Sequence, residues 1–129
     1  MLATIILAAV IQTGGTENVA KFSSYVRSER WEFVVARATL NQTPVWEEAD
    51  DEPPLPVRRA MSIAARQLAG LVSDADRWRF EAVSLRPIGG ARHWVYIVDY
   101  NEPSPTQEGG LTSRLSLVVL NRPVPRGVR

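Results

Sequence analysis

The apolar positions of the chain repeat with two different periods. In "PPLPVRRAMSIAARQLAGLVSD", Val57, Met61, Ala64, Leu68 and Leu71 recur at helical spacing, with Arg58, Arg59, Ser62, Arg66 and Gln67 on the other side. That is the pattern of an amphipathic helix. Pro53, Pro54 and Pro56 suit its entry, because proline is tolerated in a first turn and not in a helix interior. The pattern predicts a helix over 55–72, roughly 25 Å long at about 1.5 Å per residue. Four other stretches, 31–40, 78–87, 93–100 and 114–120, are rich in β-branched and aromatic residues and read as strands. Gly89 and Gly90 can take the positive φ angles of a tight hairpin, so the second and third of these strands are expected to pair antiparallel. The expected fold is α+β, one long helix packed on a four-stranded antiparallel sheet in the order strand, helix, strand, strand, strand.

Parity assigns the faces of that sheet. In 93–100 the even positions are Trp94, Tyr96, Val98 and Tyr100, and the odd ones are His93, Val95, Ile97 and Asp99, with polar residues at both ends. The even set is expected to face the helix, where Ala60, Ala64 and Ala65 leave room for large side chains. Leu115, Leu117 and Val119 are the matching inward set of the last strand. Trp78 and Phe80 are even whereas Val83 and Leu85 are odd, which predicts a bulge near Ala82. Val95, Ile97, Val118 and Leu120 then form an outward apolar stripe, a candidate interaction surface that needs a cover. The segment carrying Val19, Phe22 and Val26 is one candidate cover; a second copy of the chain or a partner protein is another.

The connections 41–54 and 101–113 are long. The first holds Glu47, Glu48, Asp50, Asp51 and Glu52, placed by the chain path near the helix N-terminus and near Arg86, Arg92 and His93. A calcium site there would lack the loop spacing that calcium loops use, and Asn41-Gln42-Thr43 matches a glycosylation acceptor.

Composition narrows the function classes. A chain of 129 residues, 45% apolar, is the size of one domain. Fifteen basic against 14 acidic residues argue against nucleic acid as a partner. Lys21 is the only lysine, and there is no cysteine, hence no disulfide, thiolate metal site or cysteine nucleophile. Leu2 to Ile11 is an uncharged apolar run followed by Gln12, Thr13, Gly14 and Gly15; it reads as a signal peptide over 1–15, with the mature domain over 16–129. The expected location is secreted, periplasmic or cell-envelope, with no stable membrane span after cleavage. His93 is the single histidine, and it lies about 20 Å along its strand from Asp99. No nucleophile motif accompanies it. No catalytic group and no cofactor are expected.

"PPLPVRRAMSIAARQL", "WRFEAVSLRP" and "HWVYIVDY" together resemble the small exported bacterial proteins of unknown function with a cystatin-like or PepSY-like helix-on-sheet domain. The resemblance implies binding without chemistry, to an unknown protein or cell-envelope component, with a homodimer through the outer sheet face as one form. A cystatin-like inhibitor would use the hairpin Ile88 to Arg92, within a stretch that here reads "PIGGARH" (87–93) where cystatins carry Q-x-V-x-G, and no P-W pair occurs. A small-ligand carrier would use the space between helix and sheet around Trp94 and Tyr96.

Overall fold

The computed structural model describes residues 4–8, 17–26, 29–47, 49–50, 52–88, 92–102 and 113–123. The turn at Gly89 and Gly90, most of the 101–113 connection, Glu48 and Asp51, and most of the apolar leader lie outside the described residues.

The sheet has six strands, β1 (Thr4–Ala8), β2 (Asn18–Val26), β3 (Glu29–Ala36), β4 (Arg79–Ile88), β5 (His93–Glu102) and β6 (Ser113–Leu120), side by side in the order β1-β3-β2-β6-β5-β4. Strands β2 to β6 are joined antiparallel, and β1 adds parallel to β3. The helices are a single turn, α1 (Arg37–Leu40), and α2 (Val57–Leu71). The expected four-stranded, cystatin-like helix-on-sheet arrangement is therefore corrected to a larger sheet carrying one helix of length.

Two sequence features explain the difference. In "NVAKFSSYV", Phe22, Ser24 and Val26 alternate with Lys21, Ser23 and Tyr25, a period of two whose apolar side is diluted by serine. Pairing with β3 turns it into a strand, with Phe22 opposite Phe33 and Ser24 opposite Trp31. The stretch 31–40 is not one strand, because the β2 ladder runs out where Asn18 meets Ala36. There the chain turns into α1, held by Arg37 N–H donating to Glu17 O and by the Arg37 guanidinium on the Glu17 carboxylate at 2.7 Å.

On β5 the even positions do face the helix. Tyr96 lies opposite Val119 and Leu85, Val98 opposite Leu117 and Val83, and Tyr100 opposite Leu115 and Phe80; directly paired residues share a face. The predicted irregularity in β4 falls between Phe80 and Ala82. The segment entering α2 is tied onto this face: Tyr96 Oη donates to Leu55 O, Asn121 Oδ1 accepts from Leu55 N at 3.0 Å, and Trp94 Nε1 donates to Trp46 O at 2.9 Å.

The buried stripe of α2 is Ala60, Ala64 and Leu68, and Val57 is 48% exposed. The stripe is rotated from the expected one because Leu55, not Val57, is the residue driven into the core. Pinned between Pro54 and Pro56, Leu55 is fully buried and sets the angle at which the helix starts.

Candidate functional site

The four residues expected to form an outward contact stripe are interior. Val95, Ile97, Val118 and Leu120 are 0%, 2%, 2% and 8% exposed within the single chain, and Leu40 belongs to the same buried cluster. Thr43 explains part of the cover. Its hydroxyl donates to Leu40 O at 2.6 Å and sits 3.0 Å from His93 Nδ1, which brings the stretch after α1 against the start of β5. From there the chain crosses the end of the strand, where Trp46 N–H donates to Arg92 O, and reaches the even-numbered face.

The open part of this outer face is its other half. Arg30 is opposite Tyr25, Tyr25 opposite Arg114, Arg114 opposite Asn101, and Asn101 opposite Arg79. These five residues make one row across β3, β2, β6, β5 and β4, roughly 19 Å long at about 4.8 Å per strand. Carboxylates behind it hold two of its three arginines, Arg30 and Arg114. The Arg30 guanidinium meets Glu32 at 2.9 Å, and Arg114 reaches Asp99 at 3.6 Å and Glu81 at 3.5 Å. Asn101 donates to Glu81 at 2.6 Å, and Ser116 donates to Asp99. Glu32 and Asp99 are buried, 7% and 8% exposed, and these donors supply the partners that a buried carboxylate needs. Tyr25 stands between Arg30 and Arg114 at 56% exposure, the most exposed of the large apolar side chains described. Sequence reading placed Tyr25 only in a covering segment. The alternation in β2 was the available signal for a strand, but nothing local announces that β2 lies beside β6.

Chemistry-bearing groups are otherwise engaged structurally. The Thr43 hydroxyl donates to Leu40 O and lies 3.0 Å from His93 Nδ1, so the ring is held in a structural contact. Asp99 is bound by Ser116 and Arg114, not by the histidine. Arg92 and Glu47 approach to 3.5 Å, as the charge placement at the helix entry predicted. Among the described residues no group of three or more histidine, aspartate or glutamate side chains is set to hold a metal, and no helix is long and apolar enough to cross a membrane. Burial pushes the Tyr96 and Tyr100 phenols above their usual range.

No family model, no curated protein and no solved structure matches the chain.

Proposed function

We propose that the chain is a non-enzymatic interaction module that engages a protein of the cell envelope or secreted space through the outer sheet face centred on Tyr25. The observation that carries this reading is the exposed tyrosine flanked by two arginines whose orientation is fixed by carboxylates behind them. Tyrosine and arginine are the residue types that dominate the centres of protein contacts, and pre-oriented side chains lose less entropy on binding. The carrier reading has less support, because Trp46 packs edge-on against Trp94 at 5.0 Å and Leu55 occupies the place beside Tyr96. The inhibitor reading depends on a hairpin whose residues 89–91 lie outside the described residues. A homodimer through Val95, Ile97, Val118 and Leu120 would require the interior to open.

A pull-down from the native envelope with the wild-type chain and with Tyr25→Ala tests the proposal. The variant should keep its circular dichroism and its stability to within about 0.5 kcal/mol, as an exposed residue does, yet lose a component the wild type retains. Identical sets of retained components would remove the assignment. Export is part of the same reading. Intact-mass measurement of the protein isolated from its native cells should give a chain starting near Thr16, and a chain still starting at Met1 with β1 retained would contradict it.

A further inference from the structure

Helix α2 turns to solvent a face with charge of a single sign. Arg58, Arg59 and Arg66 are exposed there beside Ser62, Ala65, Ala69 and Gly70, and the sequence has no aspartate or glutamate between Glu52 and Asp74. Among the described residues none of the three is in an ion pair, whereas Arg30, Arg37, Arg92 and Arg114 each have a carboxylate. The placement also runs against the helix itself. Arg58 and Arg59 occupy the first turn, no acidic residue accompanies them, the last turn has no basic residue, and Pro56 supplies no side-chain cap. Positive charge at that end is opposed by the macrodipole and by the unbonded first-turn N–H groups.

We propose that this face docks an acidic segment of a partner protein. Arg59 and Arg66 are seven residues apart, about 10 Å along the axis, so the partner needs carboxylates separated by that distance, each taken by an arginine fork in the two-bond geometry that guanidinium favours. Gly70 has open space where a Cβ would stand, and Ala65 and Ala69 are small. The partner's backbone can therefore come close over the second half of the helix.

Magnitudes separate this occupant from the other anionic ones. Each cation at an anionic membrane gains about fivefold in partition, so three gain on the order of a hundredfold, and nothing adds to that here because the apolar stripe that would insert, Ala60, Ala64 and Leu68, is already buried in the core. Nucleic-acid binding typically rests on about six to ten phosphate contacts, against three arginines on a chain of net charge +1. The surface is separate from the Tyr25 row and stands or falls without it.

The test is fluorescence anisotropy of the full chain with a labelled Glu/Ala peptide at low salt. Binding should weaken by about tenfold or more in Arg58→Gln/Arg59→Gln/Arg66→Gln, as loss of charge-assisted hydrogen bonds requires. Arg86→Gln/Arg122→Gln, at exposed positions outside both surfaces, should bind as the wild type does. The triple variant should melt at the same or a higher temperature, since unfavourable first-turn charge is removed. Equal affinity of wild type and triple variant, or a lowered melting temperature that makes the arginines structural, would overturn the proposal. So would absence of peptide binding alongside arginine-dependent binding to phosphatidylserine vesicles or single-stranded DNA.

Discussion

Replacing Ile97 by alanine should lower the free energy of unfolding by about 2–5 kcal/mol, the range for truncating a large aliphatic side chain in a core. Ile97 is 2% exposed, lies opposite Val118 on one side and Ser84 on the other, and shares its face with Val95 and Leu120. Its cross-strand neighbours belong to two different strands, so the space left by the side chain cannot collapse by moving one loop. A residue on an open docking stripe would behave differently. There the same substitution would shift stability by no more than about 0.5 kcal/mol and would appear in association measurements instead. Urea denaturation of wild type and Ile97→Ala separates the two outcomes. An unchanged midpoint would return Val95, Ile97, Val118 and Leu120 to the surface.

The sequence pattern of β5 held more than parity extracted from it. Alternation correctly directs Trp94, Tyr96, Val98 and Tyr100 toward α2, but the run Trp94 to Val98 contains no polar residue at all. An unbroken apolar run is the mark of a strand buried on both faces, which β5 is. The alternation was visible in both sets because one set is aromatic and the other aliphatic, a difference of size and not of polarity. What covers the second face was not legible. It depends on the ladder of β2 and β3 ending at Asn18 and Ala36, on α1 forming there, and on Thr43 meeting a histidine 50 residues away.

The same limit applies to the candidate site. Each member of the row Arg30, Tyr25, Arg114, Asn101 and Arg79 is unremarked in its own stretch of sequence, and adjacency comes from four separate strand pairings. At the seam between β2 and β6, the backbone pair Tyr25 and Arg114 is joined by a side-chain bond, Ser24 Oγ accepting the Ser116 N–H at 2.8 Å, a place usually held by a backbone carbonyl. By contrast α2 was legible in existence and length, since proline entry and helical spacing are local signals. Its rotation was not, because that follows from Leu55 being anchored by residues from β5 and from beyond the end of β6.

That anchor supports a second large effect. Leu55 sits between two prolines, is fully buried, and has both backbone polar groups satisfied by side chains, Tyr96 of β5 for the carbonyl and Asn121, just past β6, for the N–H. Tyr96→Phe keeps the ring and its packing but leaves a buried carbonyl without its donor, which should cost about 1–3 kcal/mol in chemical denaturation. Asn121→Ala should cost a similar amount by stranding the N–H. The double variant should cost less than the sum, because once the strap has detached at one end the second bond has little left to hold. Strict additivity would mean that Leu55 is fixed by packing alone.

The phenol adds a pH signature. Burial raises the Tyr96 and Tyr100 pKa values above 10.0 in the folded chain, so as pH climbs past about 10 the unfolded state releases phenolic protons that the native state retains. The native state then binds more protons than the unfolded one, and stability falls with rising pH, having been undiminished below that range. Tyr96→Phe removes one of the two groups responsible. Its stability should therefore decline less steeply at alkaline pH than that of the wild type, even though it starts lower at neutral pH. Parallel declines would show that the Tyr96 hydroxyl is open to solvent and that the strap bond to Leu55 does not persist in solution.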